Sequence, residues 1–197
     1  MDMFFWVLLV SVAVVVFWAV GAYNRLMRLK TQVANAFGQI DVQLKRRYDL
    51  IPNLVEVARK YMAHEARTLE AVIAARNQAS TAEQKAAASP LSSAALGALA
   101  GAEQALGGAL GRLFAVVEDY PALKADETLR DLSEELTHTE NRVGFARQAY
   151  NDQVLEYNQA AMHFPTLIVA RMLGFQPLEM LASTQSEEER QAPRVEL

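Results

Sequence analysis

The chain has 197 residues, a formal net charge of −4 and no cysteine. This length leaves room for one domain with a hydrophobic core besides a membrane span. The lack of cysteine excludes disulfides, thiolate metal ligands and a cysteine nucleophile. The acidic balance argues against a nucleic-acid partner, because nucleic acids call for a basic surface.

Residues 1–22 have the composition of a membrane anchor. Residues 3–22 carry no charge and are almost wholly apolar, and three cations follow between residues 25 and 30. About 20 apolar residues in helical form span the hydrocarbon core of a bilayer. Because the cations flank only the C-terminal side, the short N-terminus is predicted outside and the rest of the chain in the cytoplasm.

A cleaved secretory signal is the alternative interpretation of this segment. Val20-Gly21-Ala22 has the small residues of a cleavage site. Against cleavage, the first residues include Asp2 and no cation, and the apolar run is longer than the usual 7–15 residues or so of a signal peptide. We therefore favour the uncleaved anchor.

Apolar residues recur every three or four positions through the rest of the chain, which predicts an all-α fold. The predicted helices cover about 23–48, 53–80, 90–119 and 126–164, with a short helix over 166–173. Together these elements make a helical bundle over residues 23–182. The polar, acidic segment 183–197 is predicted to be a disordered tail.

Local signals place the ends of the predicted helices. Pro52 removes a backbone donor, so a break or kink is expected near residues 49–53, with Asn53 as the next N-cap. Residues 78–93 are predicted as a connector, and Ser89 within it, followed by Pro90, is the predicted N-cap of the third helix. Asp126 is the predicted N-cap of the fourth helix, and a turn is expected at Gly174.

The third predicted helix is rich in glycine, and four of its glycines have GxxxG spacing: Gly97, Gly101, Gly107 and Gly111. Each interior glycine costs about 1 kcal/mol relative to alanine in helix propensity. Their concentration therefore predicts close packing against a neighbouring helix. A second membrane span is the alternative, but Glu103, Gln104 and Arg112 interrupt the segment.

The sequence offers little equipment for catalysis. Glu135 and His138 have the Glu-x-x-His spacing of di-iron bundles, but such a site needs two of these motifs and two further glutamates. Neither His64 nor His163 has a glutamate three residues before it. Nucleophile-elbow, phosphate-loop and dinucleotide-binding motifs are missing from the sequence. We expect no enzyme activity, no cofactor and no metal.

Lys45, Arg46 and Arg47 form the most concentrated basic cluster. One interpretation is a solvated helix end whose cations face the last backbone carbonyls before Pro52. The other is an interaction site for anionic lipid or an acidic protein surface. An unbroken helix would place residue 45 about 35 Å beyond the anchor, far outside the Debye length of about 8 Å. If the cluster is an interaction site, an acidic protein surface is therefore a better candidate partner than lipid.

Two blocks of this sequence resemble the LemA family of bacterial membrane proteins. The first comprises QIDVQLKRRYDLIPNLVE at 39–56 and HEARTLEAVIAAR at 64–76; the second, at 116–159, contains YPALKA and TENRVGFARQAYN. The resemblance covers residues 23–181. It implies a single-pass anchor in the bacterial inner membrane, with the N-terminus outside, followed by an up-and-down four-helix bundle. It implies no reaction. Some members of the family are associated with magnetosome membrane formation, and others with a membrane metalloprotease partner.

Two functions follow as hypotheses. A non-enzymatic scaffold would self-associate or recruit partners at the cytoplasmic face of the membrane and organise or remodel it. A regulatory adaptor of a membrane protein, such as a metalloprotease or sensor, would use the basic cluster and an acidic face formed by Glu134, Glu135 and Glu140. The expected partners are the lipid bilayer, further copies of the chain and another membrane protein.

Overall fold

The computed structural model describes residues 3–181, and these form six α-helices without a strand. The all-α prediction is confirmed, while the predicted tail at 183–197 lies outside the described residues. The helices are α1 (Met3–Arg59), α2 (Ala66–Ala88), α3 (Ser93–Val117), α4 (Pro121–Lys124), α5 (Glu127–Met162) and α6 (Thr166–Met172).

α1 joins the apolar N-terminal segment to the bundle as one continuous helix. It has 57 residues, which corresponds to a length of about 85 Å. Its N-terminal part stands clear of the bundle, and its buried positions begin at Ala22. From there they recur every three or four residues: Leu26, Leu29, Val33, Phe37, Ile40 and Leu44. This stripe is the central part of the hydrophobic core.

The four long helices, α1, α2, α3 and α5, form an up-and-down bundle. α1 packs against α2 and α5, and α2 packs against α3. The Phe37 ring of α1 packs against Tyr150 in the second half of α5, with 6.2 Å between the centroids. The Tyr61 hydroxyl, beyond the end of α1, donates to the carboxylate of Asp126, at the start of α5, at 2.9 Å. The two helices therefore run antiparallel, and α5 ends on the side of the bundle where the apolar N-terminal segment leaves it.

Pro52 lies inside α1, so the predicted break near residues 49–53 is wrong. A proline leaves the carbonyl four residues earlier without its helical donor. That carbonyl belongs to Tyr48, and Nε of Arg76 in α2 donates to it at 3.1 Å. Ile51 and Leu54, on either side of the proline, are fully buried. A tertiary hydrogen bond and packing together stabilise the uninterrupted helix.

The second helix covers Ala66–Ala88 instead of the predicted 53–80. Asn53 lies inside α1 and caps no helix, and the chain turns only after Arg59, where Met62 is fully buried. The predicted connector at 78–93 is helical up to Ala88. Its buried residues, spaced as one helical face, explain this: Ala79, Glu83 and Ala86.

The third helix also begins later than predicted. Ser89 is the C-cap of α2, and Ser92 is the N-cap of α3, where its hydroxyl accepts from the Ala95 N–H at 3.4 Å. The predicted cap at Ser89 is therefore wrong. The alanine-rich end of α2 continues the helix up to Ala88, so the turn has to fall after it.

The end of the chain follows the sequence signals closely. The Asp126 carboxylate accepts from the Leu129 N–H at 3.1 Å, which confirms it as the N-cap of α5. α6 lies where it was predicted, and Gly174 after it has φ of 73°, a left-handed conformation that favours glycine.

Candidate functional site

The exposed end of α1 is the first candidate site. Within residues 3–181, one helix is long and apolar enough to cross a membrane, and it is α1. None of its 18 most apolar consecutive residues is buried against the rest of the chain. A core helix of a water-soluble protein would be covered on at least one face, since large exposed apolar surfaces mark interaction or membrane sites. The segment is therefore a candidate membrane span.

A second candidate site, here called the charged layer, crosses the middle of the bundle. Ionisable side chains of all four long helices meet there: Asp41, Lys45, Arg46, Arg47 and Tyr48 of α1, Glu83 of α2, Glu103 of α3, and Glu135 and Glu140 of α5. Successive helical positions are about 100° apart. The three consecutive cations of α1 consequently face three different helices.

Arg47 lies in the centre of the charged layer and is only 3% exposed. Its Nη1 donates to Oε2 of Glu103 at 2.9 Å, and its Nη2 lies 3.6 Å from Oε2 of Glu140. The Tyr48 hydroxyl donates to the other oxygen of Glu103 at 2.6 Å. Burial raises the pKa of Tyr48 above its usual range, and the charge of Glu103 raises it further, so the hydroxyl keeps its proton. Arg47 is therefore buried and paired with carboxylates of its own chain, so it is not available to a partner.

Lys45 and Arg46 lie at the surface of the charged layer. Nζ of Lys45 is 2.7 Å from Asp41 and 3.7 Å from Glu83, and Arg46 pairs with Glu135. The two cationic side chains are still 56% and 54% exposed. The helix-end interpretation of the basic cluster is wrong, because α1 continues to Arg59. A partner contact through Lys45 and Arg46 stays a prediction.

Glu83 is the most unusual acid in the charged layer, since its side chain is only 1% exposed. Burial raises its pKa to about 7, and the hydrogen bond and negative charge of Asp41 contribute to the rise. Burial acts in the same direction on Asp41, but hydrogen bonds with Glu83 and Lys45 outweigh it and lower the pKa of Asp41. The two carboxyls therefore share one proton near neutral pH.

A groove of about 260 Å³ opens beside Arg47, between α3 and α5. Gly107 and Gly111 contribute to one wall, and the other wall includes the hydroxyls of Ser133 and Thr137. Because glycine has no side chain, these two positions leave the groove open. Both hydroxyls donate to backbone carbonyls of α5, so the groove offers a partner their oxygens as hydrogen-bond acceptors.

Among the residues that the structure describes, the four glycines with GxxxG spacing have open space where a side chain would lie. A Cβ placed on Gly97, Gly101, Gly107 or Gly111 would meet nothing within 4 Å. The predicted close packing is therefore wrong within the chain. The buried face of α3 consists mainly of leucine: Leu96, Leu99, Leu106, Leu110 and Leu113. The three- and four-residue spacing of these leucines is a sequence signal that could have identified the inner face, but the prediction for this helix rested on its glycines alone.

Replacing Gly101 with alanine should raise the free energy of unfolding by about 0.5–1 kcal/mol. The added methyl meets no atom, and alanine loses less backbone entropy in a helix. Thermal unfolding followed by circular dichroism measures the effect. The matched control is Gly174→Ala, which should destabilise because its φ is 73°. A destabilised Gly101→Ala variant would contradict the open environment of this glycine.

The possible metal ligands are dispersed. Glu135 pairs with Arg46, and Nε2 of His138 lies 3.6 Å from Glu134 at the surface. Among residues 3–181, no three or more histidine and carboxylate side chains are grouped so as to hold a metal ion.

The family model of the LemA family matches residues 36–197 of this chain. The chain belongs to the LemA family. The match includes the charged layer, α3, α5 and α6, and begins after the anchor. Among curated relatives of this LemA-family chain, magnetosome protein MamQ of Magnetospirillum gryphiswaldense is 35% identical over 82 residues. Magnetosome proteins MamQ 1 and MamQ 2 of Paramagnetospirillum magneticum are each 37% identical over 82 residues.

These matches cover 42% of this LemA-family chain. The chain spans about 30% of the length of the relatives it matches. The family assignment of this chain therefore rests on the family model, which matches far more of it than these relatives do.

Proposed function

We propose that this chain is a non-enzymatic scaffold that α1 anchors at the cytoplasmic face of a bacterial inner membrane. The bundle self-associates or recruits partners there and so organises the membrane. The observation that carries the proposal is the continuity of α1, whose unburied apolar segment leads without interruption into the core stripe that begins at Ala22. A continuous helix couples the position of the bundle directly to the bilayer.

The outer face of α3 supports self-association. Nine of its twelve exposed positions are glycine or alanine, including Ala94, Gly97, Ala98, Gly101, Ala105 and Gly108, and the other three are Ser93, Gln104 and Arg112. Small residues let two helix backbones approach closely. The matched relatives carry the name magnetosome protein, which supports a role in membrane organisation.

Self-association can be tested with the full chain in lipid nanodiscs by electron microscopy and chemical crosslinking. The unaltered chain should form oligomers, and Gly101→Leu should reduce them, because a large side chain would separate the two α3 faces. Gly144→Leu is the matched control, since Gly144 lies exposed on α5 and a Cβ there also meets nothing within 4 Å. It should leave the oligomers intact.

Two results would contradict the scaffold. One is a monomer in lipid at every protein concentration tested. The other is a mature protein that begins at Tyr23 and stays in the soluble fraction, because the anchor would then have been removed as a signal peptide.

A regulatory adaptor is the second candidate function, and the groove beside Arg47 favours it. The exposed cations Lys45 and Arg46 lie in the same layer and suit an acidic segment of a membrane-protein partner. Lys45→Gln with Arg46→Gln removes both exposed charges without placing a new acid beside their acidic partners. It should abolish capture of such a partner while the helical circular dichroism stays unchanged. Arg47 is left unaltered in this test because it is buried. Capture that survives the loss of both charges would rule out this surface.

A further inference from the structure

α6 and the turn before it carry apolar side chains that the described part of the chain leaves uncovered. Ile168 and Met172 lie four residues apart on one side of α6, and Phe164 lies just before the helix. These three side chains are 49%, 79% and 81% exposed, respectively. The other side of α6, with Val169 and Ala170, is buried. α6 is thus docked on the bundle with an apolar side facing outward.

This outward side lies at the end of the bundle where the anchor leaves it. α6 packs against α1 and α5, and Phe175, shortly after α6, packs its ring on Tyr23 with 5.8 Å between the centroids. Tyr23 directly follows the apolar segment that ends at Ala22. At a rise of about 1.5 Å per residue, the ring pair lies within one helical turn of the end of the predicted span.

The charges around α6 are mainly positive. Arg171 lies on α6, Arg25 and Arg28 are exposed on the adjoining part of α1, and Nζ of Lys30 lies 6.0 Å from the centre of the Phe175 ring. The sequence has no acidic residue between positions 3 and 40, and one between positions 160 and 181. Apolar residues combined with cations are typical of helices that lie in the headgroup region of a bilayer with anionic lipids.

We infer that α6 is a second lipid contact, which inserts Phe164, Ile168 and Met172 into the interface of the same bilayer that α1 spans. The bilayer is the occupant because its surface meets the chain where α1 leaves the bundle, beside α6. Two points of attachment restrict rotation of the bundle about α1, so the bundle keeps one orientation relative to the bilayer. This inference rests on the anchor of the proposed function.

The absence of native cysteine allows one fluorophore to be placed at a time. Full-length Met172→Cys and Phe145→Cys, each labelled with an NBD fluorophore, are reconstituted into vesicles of phosphatidylcholine and phosphatidylglycerol. Phe145 is the matched control because it is 72% exposed, yet it lies about 25 Å before the end of α5. Lipids with a nitroxide near the headgroup then quench any fluorophore that enters the interface.

The label at position 172 should shift to shorter wavelength and lose emission with the nitroxide lipids, whereas the label at position 145 should do neither. Equal behaviour of the two labels in vesicles that carry the protein would overturn the α6 contact alone. A wavelength shift without quenching would also overturn it, because a second copy of the chain would then cover α6. Protein that does not float with the vesicles would overturn the anchor, and with it the inference.

Discussion

Replacing Arg47 with methionine should lower the free energy of unfolding by about 3–5 kcal/mol. The substitution leaves the Glu103 carboxylate buried with the Tyr48 hydroxyl as its remaining hydrogen-bond donor. A buried carboxylate without its counter-ion is strongly destabilising, because desolvation is no longer offset by the ion pair. Urea unfolding of the full chain in detergent, followed by circular dichroism, measures the loss.

Arg46→Met is the matched control for Arg47→Met. Arg46 also pairs with a glutamate of another helix, but its side chain is 54% exposed and that of Glu135 is 32% exposed. Removing an exposed ion pair costs about 0–1 kcal/mol. The double variant Arg47→Met with Glu103→Leu should recover most of the stability, since no uncompensated buried charge then remains and Glu140 is about half exposed. Equal losses for Arg46→Met and Arg47→Met would show that burial of the Arg47 pair carries no special weight.

Glu83→Gln should make the protein more stable than the unaltered chain at pH 8, by about 2–3 kcal/mol. The pKa of Glu83 is about 7 in the folded chain against an ordinary value of 4.5. The folded chain therefore holds a proton between these two pH values that the unfolded chain releases. The stability that Glu83 contributes is complete below pH 4.5 and is lost as the pH rises through 7. Glutamine keeps the hydrogen-bonding geometry without a titrating proton.

The measurement is the free energy of unfolding of both chains at pH 5 and pH 8. The two chains should have similar stability at pH 5 and separate at pH 8. Because Asp41 and Glu83 titrate as a pair, the pH dependence belongs to both carboxyls. Glu70→Gln, the same substitution at an exposed position of α2, controls for the loss of one carboxylate. A destabilised Glu83→Gln variant at pH 8 would show that Glu83 is needed as an ion.

The charged layer also bears on the register of the bundle. Lys45, Arg46 and Arg47 each have an acidic partner on a different helix. A shift of any neighbouring helix by one turn, about 5.4 Å, would separate a cation from its partner and leave the buried members unpaired. The layer therefore stabilises one alignment of the four helices.

The sequence by itself determined the features that depend on neighbours a few residues apart. The uncharged run at residues 3–22, the unbroken apolar spacing of α5, the cap at Asp126 and the turn at Gly174 are all local. Their physics is that of the helix itself, in which side chains three and four residues apart share one face. The motifs around the basic cluster and in α5 were sufficient to indicate the LemA family.

The tertiary structure decided the features whose partners are distant in the chain. α1 continues through Pro52 because Arg76, 28 residues from Tyr48 in the chain, donates to the Tyr48 carbonyl, which the proline leaves without a helical donor. Arg47 is buried because Glu103, 56 residues away, pairs with it.

The course of the chain after α6 was decided in the same way. The side-chain amides of Asn151 and Asn158 on α5 each donate to and accept from the backbone of a residue in the returning segment, Leu181 and Leu178 respectively. No local spacing encodes these pairs, because a hydrogen bond or ion pair between helices depends on which faces the bundle brings together. For the same reason, the spacing of the glycines in α3 could not tell whether they face the core or the solvent.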